Sequence, residues 1–282
     1  MTKHILLFVL FSAAQFACAQ KEYYKWYFGN SAAIDFVPGS PTALTNSVMP
    51  STDNPATMSD SAGNLLFYSN GLRVWNRNHA VMANGNGLLG SNSGGHTATA
   101  VRKPGSTSLY YLFTMDAYGA ANGLRYDVID MNLNGGLGDI VAGQKNLVII
   151  ASASEQIVPV LHSNGTDIWI VTHPWNSSSY NSYLLSASGL NITPVVSAVG
   201  ISRSGNTDNA LGQINVNAAN NKIVSVCWGS NHFELLDFNN TTGALSNPLL
   251  FPNYNNAWGA EDRKSTRLNS SHGGISRMPS SA

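Results

Sequence analysis

Oxygen donors at Asp130, Asn132 and Asn134, with Gly135 next in the run DMNLNGG, have the alternate spacing of a loop that wraps a calcium ion. A complete loop of that kind closes with a bidentate Glu at its twelfth position, where Val141 stands. Asn-Gly-Gly between two apolar runs is also the usual mark of a hairpin. The hairpin is the better reading, and calcium beside Asp130 is left open. The histidines at 79, 96, 162, 173 and 232 are dispersed, with no His-x-x-x-His spacing and no paired Cys, so no zinc site is expected. Ser93, His96 and Asp116 could be assembled into a hydrolytic triad, but no Gly-x-Ser-x-Gly elbow accompanies them. A glycosidase needs two carboxylates facing one cleft. Asp116, Asp127, Asp130, Asp139, Glu155 and Asp167 are available, and most fall in or beside turn signals, where Asp bonds its own backbone. The Ser-x-Asp-x-Gly-x-Thr-Trp box of sialidases is absent from SDSAGNLLF. The chain is expected to be neither an enzyme nor a cofactor protein. Aromatic residues among Asn and Ser offer more: Trp175, Tyr180 and Tyr183 in HPWNSSSYNSY and Tyr118 in DAYGAAN. On exposed loops such rings can stack on a sugar face while neighbouring amides bond its hydroxyls. The alternative is that they pack beneath the loop.

The elements that must position these residues are strands. Only 11% of the 282 residues are charged, against 43% hydrophobic and 26 Gly. Soluble domains average roughly 25% charged, so Asn, Ser, Thr and Gly must make the surface. That suits short strands joined by tight turns. Four stretches, 56–78, 97–132, 156–189 and 212–240, share one grammar. A short alternating segment meets a turn at Asp60–Gly63, Pro104-Gly105, Asn164-Gly165 or Asn220-Asn221. An apolar strand follows at Leu65–Tyr68, Leu109–Phe113, Ile168–Val171 or Ile223–Val226, then a polar turn and another strand at Leu72–Trp75, Leu124–Ile129, Tyr183–Leu185 or Phe233–Phe238. Aligning Leu65, Tyr110, Ile168 and Ile223 gives intervals of 45, 58 and 55 residues. Repeats of this size holding several antiparallel strands indicate an all-β fold of β-propeller type, incomplete at about four visible units, with a β-sandwich as runner-up. Stacked units cover one another, so an incomplete set is expected to leave a sheet face bare. Trp75, Trp169 and Trp228 are expected to pack between units, and YYKWYF (23–28) to be a core strand.

Residues 1–19 read as a secretory signal: Lys3 and His4, an apolar run Ile5–Phe11, then Ala17-Cys18-Ala19 before Gln20. A lipoprotein site at Cys18 is the weaker alternative. Export leaves Cys227 alone in IVSVCWGS, a packed strand thiol rather than half of a disulfide. Residues 262–282, DRKSTRLNSSHGGISRMPSSA, resemble the translation of a common sequencing adapter and are expected to be an artefactual, disordered tail. The domain proper is then 20–261, with ten Lys and Arg against fourteen Asp and Glu, a net charge of −4. No basic cluster remains for nucleic acid, and no segment has the length of a membrane span.

WYFGNSAAIDF, ATMSDSAGNLLFYSNGLRVWNRNHAVMANGNGLLGSNSG and LYYLFTMD resemble the N-terminal propeller-like region of Bacteroidetes gliding-motility-associated surface proteins exported by the type IX pathway. The similarity runs from about Tyr23 to Gly259. It implies an exported, surface-displayed binding or adhesion module that recognises an extracellular glycan or protein and is followed by further domains of the same chain. A glycan-active hydrolase or lyase and a structural spacer are the competing readings.

Overall fold

A computed structural model describes residues 21–260 apart from 38, 51, 52, 94 and 97. The proposed signal and the proposed adapter tail lie outside the described residues. The protein is all-β: among the described residues five antiparallel sheets follow one another along the chain, each built from consecutive strands. The first holds β1 (Lys25–Gly29), β2 (Ser31–Asp35) and β3 (Thr42–Ser47), and the second β4 (Ala56–Ser59), β5 (Leu65–Ser69), β6 (Arg73–Asn76) and β7 (Val81–Asn86). The third holds β8 (Ala98–Arg102), β9 (Leu109–Met115) and β10 (Leu124–Asp130). Its outer position is shared by β11 (Asp139–Ile140) and β12 (Leu147–Ile150), which pair with opposite ends of β10. The fourth repeats that plan with β13 (Ala153–Leu161), β14 (Ile168–Pro174), β15 (Tyr180–Ser186), β16 (Gly189–Leu190) and β17 (Val195–Ser197). The fifth holds β18 (Ile214–Val216), β19 (Lys222–Cys227), β20 (His232–Asn239) and β21 (Ala244–Pro252). Among the described residues no helix is long and apolar enough to cross a membrane.

The turns are made by the residues the sequence puts there. Asn220 closes the β18–β19 hairpin at φ 53° and Gly165 the β13–β14 hairpin at φ 74°; both are left-handed conformations that Asn and Gly adopt at least cost. Packing then orders the sheets. Tyr27, Ala33 and Met49 of the first sheet and its exit meet Leu65, Tyr68 and Trp75 of the second, with Tyr27 stacked on Tyr68 at 4.6 Å. Phe67, Val74 and Met82 of the second meet Tyr110, Leu112 and Ile129 of the third. Tyr111, Phe113 and Met115, on the opposite face of the third, meet Ile157, Ile170, Tyr183 and Leu185 of the fourth. Val158, Val160, Trp169 and Val171 of the fourth meet Ile214, Ile223, Leu236 and Phe238 of the fifth. Alternate residues of one strand therefore serve two different interfaces, and for this reason the central strands read as unbroken apolar runs. First strands lie beside first strands (β4 by β8, β13 by β18) and outer strands beside outer strands (β7 by β11, β17 by β21).

Cys227 is buried at the end of β19, as expected of a packed thiol. Trp228 departs from its expected place. It is half-buried just beyond that strand and meets Trp258 edge-on at 6.3 Å, because residues 254–260 fold back along β18 and its approach.

Candidate functional site

In the third and fourth sheets the loop between the second and third strands and the connection onward to the next sheet fall at the same end. Hydrogen bonds tie the two sets of loops together. Trp175 N–H donates to Ser152 O, Asn176 N–H to Arg203 O, Arg203 N–H to Ser177 O, and Gly229 N–H to Asp208 O. Three consecutive residues at the start of β13 anchor this end from beneath: Ser154, Glu155 and Gln156, all buried.

Glu155 holds the Tyr118 loop. Its carboxylate accepts N–H bonds from Tyr118 (2.7 Å) and from Gly95, and its own carbonyl accepts from His96 Nδ1 (3.1 Å). Burial is the main cause that lifts its pKa above the usual carboxylate range; the two N–H bonds oppose the rise, and Asp53 and Asp116 nearby add to it. Tyr118 itself sits at φ 56° and is 45% exposed. Beside it, a Cβ added to Gly119 would fall 2.7 Å from the indole of Trp175, so the half-buried Trp175 ring lies directly on the glycine backbone. Ser152 Oγ donates to Gly119 O at 2.6 Å and locks the same contact. Two of the four proposed ligand residues, Tyr118 and Trp175, are thus brought onto neighbouring loops of one surface.

The other two are not there. Tyr180 and Tyr183 belong to β15, not to a loop, and both are buried. Tyr180 Oη donates to Glu234 Oε2 at 2.9 Å and its ring meets His173 edge-on at 4.7 Å. Tyr183 packs in the core between the third and fourth sheets, and its Oη accepts from Asn181. The polar run Ser177–Ser179 disguises a loop that ends sooner than its composition suggests.

Under the surface lies a network that sequence reasoning missed. Arg203, in the loop between the fourth and fifth sheets, is fully buried. Its Nη2 donates to Ser225 Oγ (2.7 Å), Ser225 Oγ donates to Gln156 Oε1 (2.9 Å), and Gln156 Nε2 donates to Val226 O (2.8 Å). Glu234 accepts from Ile201 N–H and from Tyr180. Burial raises the Glu234 pKa, with Tyr180 and the Arg203 charge opposing that rise. The one available signal was scarcity: Arg203 is the only Lys or Arg between Lys145 and Lys222.

The hydrolytic candidates are occupied otherwise. Asp116 accepts from Ala117 N–H and Asn122 N–H, one on each oxygen, and so caps its own loop. His96 donates to the Glu155 carbonyl, and Ser93 bonds Ser91 through its backbone. Asp130 accepts from Asn132 N–H in the β10–β11 turn, and Asp139 accepts from the backbone and side chain of Asn84. Asp127 differs. It is fully buried, one oxygen accepts Asn146 N–H at 2.8 Å, and the other has no hydrogen-bond partner among the described residues. Burial pushes its pKa up to about 6. A folded-state value above the unfolded one favours the protonated fold, so stability is gained as pH falls through 6 and is absent above it. Two units correspond to about 3 kcal/mol. The Asp127→Asn variant has no such titration, so between pH 7 and pH 4 the stability of the unaltered chain is expected to rise by about 2 kcal/mol relative to the variant, read from urea titrations of both at the two pH values.

No protein-family model and no curated protein matches the chain. Among solved structures it is similar to a protein of unknown function from Desulfotomaculum acetoxidans (12% identity, TM-score 0.42, covering 80% of this chain and 66% of that one). It is also similar to a candidate 6-phosphogluconolactonase from Bacteroides fragilis (12% identity, TM-score 0.42, covering 79% and 66%) and to Hsv2 of Kluyveromyces lactis (7% identity, TM-score 0.36, covering 79% and 62%). The chain spans just under two thirds of the length of these structures. Likeness at this level gives no ground for transferring an activity.

Proposed function

We propose that this chain is a β-propeller region of an exported bacterial surface protein, of the gliding-motility-associated kind it resembles, and that it recognises an extracellular glycan or protein without chemistry on the ligand. The observation that carries this reading is the aromatic platform at the loop end: exposed Tyr118 beside the Trp175 indole laid on Gly119, over a buried Glu155 that fixes the loop. Rigid rings held by a scaffold lose little freedom on binding. A radial arrangement, with first strands gathered and outer strands at the rim, supports the propeller reading. Secretion by the type IX pathway and display at the outer cell surface belong to the same proposal and rest on the resemblance and the apolar leader.

The hydrolase or lyase reading needs carboxylates free to transfer protons. Both oxygens of Glu155, of Asp116 and of Asp139 already accept hydrogen bonds from the protein itself, which favours binding over catalysis. The test is a glycan and surface-protein binding panel with the Trp175→Ala variant. Loss of a central aromatic contact costs about 2 kcal/mol, roughly a 30-fold weakening, with the melting curve of the variant close to that of the parent. Unchanged affinity for every ligand that the parent binds would remove the platform from the function. Turnover of a bound polysaccharide would replace recognition with catalysis.

A further inference from the structure

Trp175 has a counterpart one repeat further along. It is the first residue after β14, and Trp228 is the first after β19. The N–H of each donates to a carbonyl of the segment that enters its own sheet, Ser152 O for Trp175 (3.2 Å) and Leu211 O for Trp228 (3.1 Å). The two indoles therefore start from one position in successive repeats, and both are half-buried. Packed sheets stand about 10 Å apart. The stretch 203–208 ties the two loops together: it bonds Asn176 and Ser177 through the backbone of Arg203, and Gly229 through Asp208 O. With Tyr118 beside Trp175, the third, fourth and fifth sheets each bring an aromatic ring to this end. The charge of the same end is one-sided. Its loops, 89–97, 116–123, 150–153, 175–179, 198–213 and 228–231, contain a single Lys or Arg. That residue is Arg203, which is fully buried. Asp116 and Asp208 lie in these loops, and Asp53 stands near enough to Glu155 to act on it. Exposed Asn176, Ser178 and Ser202 supply uncharged amide and hydroxyl groups.

We propose that the ligand of this end is an uncharged polysaccharide chain that runs from Tyr118 and Trp175 across to Trp228. This rests on the recognition reading above and narrows it. An aromatic face takes the apolar face of a sugar ring, while neighbouring amides and hydroxyls take its hydroxyl groups. An acidic chain would bring its negative charge to a surface that has carboxylates and no exposed cation to draw it in. A short neutral sugar meets one ring only. A longer chain reaches the second as an intramolecular step, without a further loss of translational freedom.

The experiment is calorimetric titration of the full chain with two series of sugars, each running from disaccharides to long oligomers. One series is neutral (cello-, xylo-, manno- and laminari-oligosaccharides) and the other acidic (oligogalacturonates and alginate oligomers). Affinity for at least one neutral series is expected to rise with length by about 10-fold or more, the worth of one further ring, and the acidic series is expected not to bind. Trp228→Leu keeps apolar bulk against Trp258 but has no ring, and it is expected to remove that rise. Trp228→Tyr restores a ring and is expected to restore the rise, which separates the loss of the ring from a loss of packing; thermal melts of both variants check the fold. Tighter binding of the acidic series would overturn the proposal. So would a rise with length that persists in Trp228→Leu. Both outcomes leave recognition at Trp175 standing. A protein ligand lost in Trp175→Ala, with no sugar bound, would keep the platform and overturn the polysaccharide. Absence of binding to sugars and proteins alike would remove the recognition reading and this proposal together.

Discussion

Replacing Arg203 with Met is expected to remove about 3–5 kcal/mol of stability, the usual cost of breaking a buried charged network by deleting one member. The guanidinium is fully buried and donates to Ser225 Oγ and, at 3.4 Å, to Asn209 O. Methionine fills most of the volume and keeps the packing, so the loss reports on charge and hydrogen bonding. Glu234, 1% exposed, would then keep its Ile201 and Tyr180 bonds without the cation whose field opposes the rise in its pKa. Its carboxyl would take up a proton at higher pH than in the parent. The loss should therefore be smaller at pH 5 than at pH 8, the opposite of a simple cavity effect, which has no pH dependence. Guanidinium titrations at both pH values measure this directly. A double-mutant cycle with Glu234→Gln should show coupling of at least about 1 kcal/mol, as members of one network do. A loss below 1 kcal/mol for Arg203→Met at pH 8 would show that the network is dispensable.

The same residues explain what could and could not be read from the sequence. Leu65–Tyr68, Leu109–Phe113 and Ile168–Val171 were legible as strands because both their faces are covered, so every position is apolar, while Ile223–Val226, interrupted by the buried Ser225, was legible by its β-branched residues; β5, β9, β14 and β19 contain them all. Their partners after the polar turns were legible for the same reason. Loops were harder. Composition shows that a segment is polar but not where its last buried residue lies: Tyr180 was misplaced because Ser178, Ser179 and Asn181 look like loop on both sides, and Tyr183, rightly read as the start of a strand, was also offered as a ligand residue although it is buried. Strand pairing decides the matter: Tyr180 pairs with Ser197, and Tyr183 with Ile170, neither of which is near in sequence. Arg203 and Glu234 were invisible for a related reason. They are 31 positions apart, and only the docking of the inter-sheet loop on β19 and β20 makes them one network. Tyr118 and Trp175 were found by residue type, yet their adjacency rests on Gly119, whose missing side chain leaves the space that the indole occupies.

Acid should unfold the protein through His173 more than through any of its carboxylates. His173 is fully buried, its Nδ1 donates to Pro174 O at 2.8 Å, and its ring lies edge-on to Tyr180. Burial first, and the Arg203 charge second, push its pKa down to about 3 from an ordinary value of 6.5. The folded chain thus refuses a proton that the unfolded chain accepts below pH 6.5. The stability that His173 contributes is complete above 6.5 and declines as pH falls, by about 4 kcal/mol at pH 3. Asp127, Glu155 and Glu234 act in the opposite sense, because their raised values favour the protonated fold as pH drops. The parent profile is therefore a difference of opposing slopes, and a flat curve between pH 7 and pH 4 would say nothing about either. The His173→Asn variant separates them: its amide keeps a donor near the Nδ1 position but has no titration in this range. From pH 8 to pH 4 the parent should lose about 3 kcal/mol relative to this variant, read as the change in the gap between their denaturation midpoints multiplied by the slope. If the gap were the same at both pH values, His173 would be taking up its proton in the folded state, and the cation beside it would have to lie farther away or be screened by water.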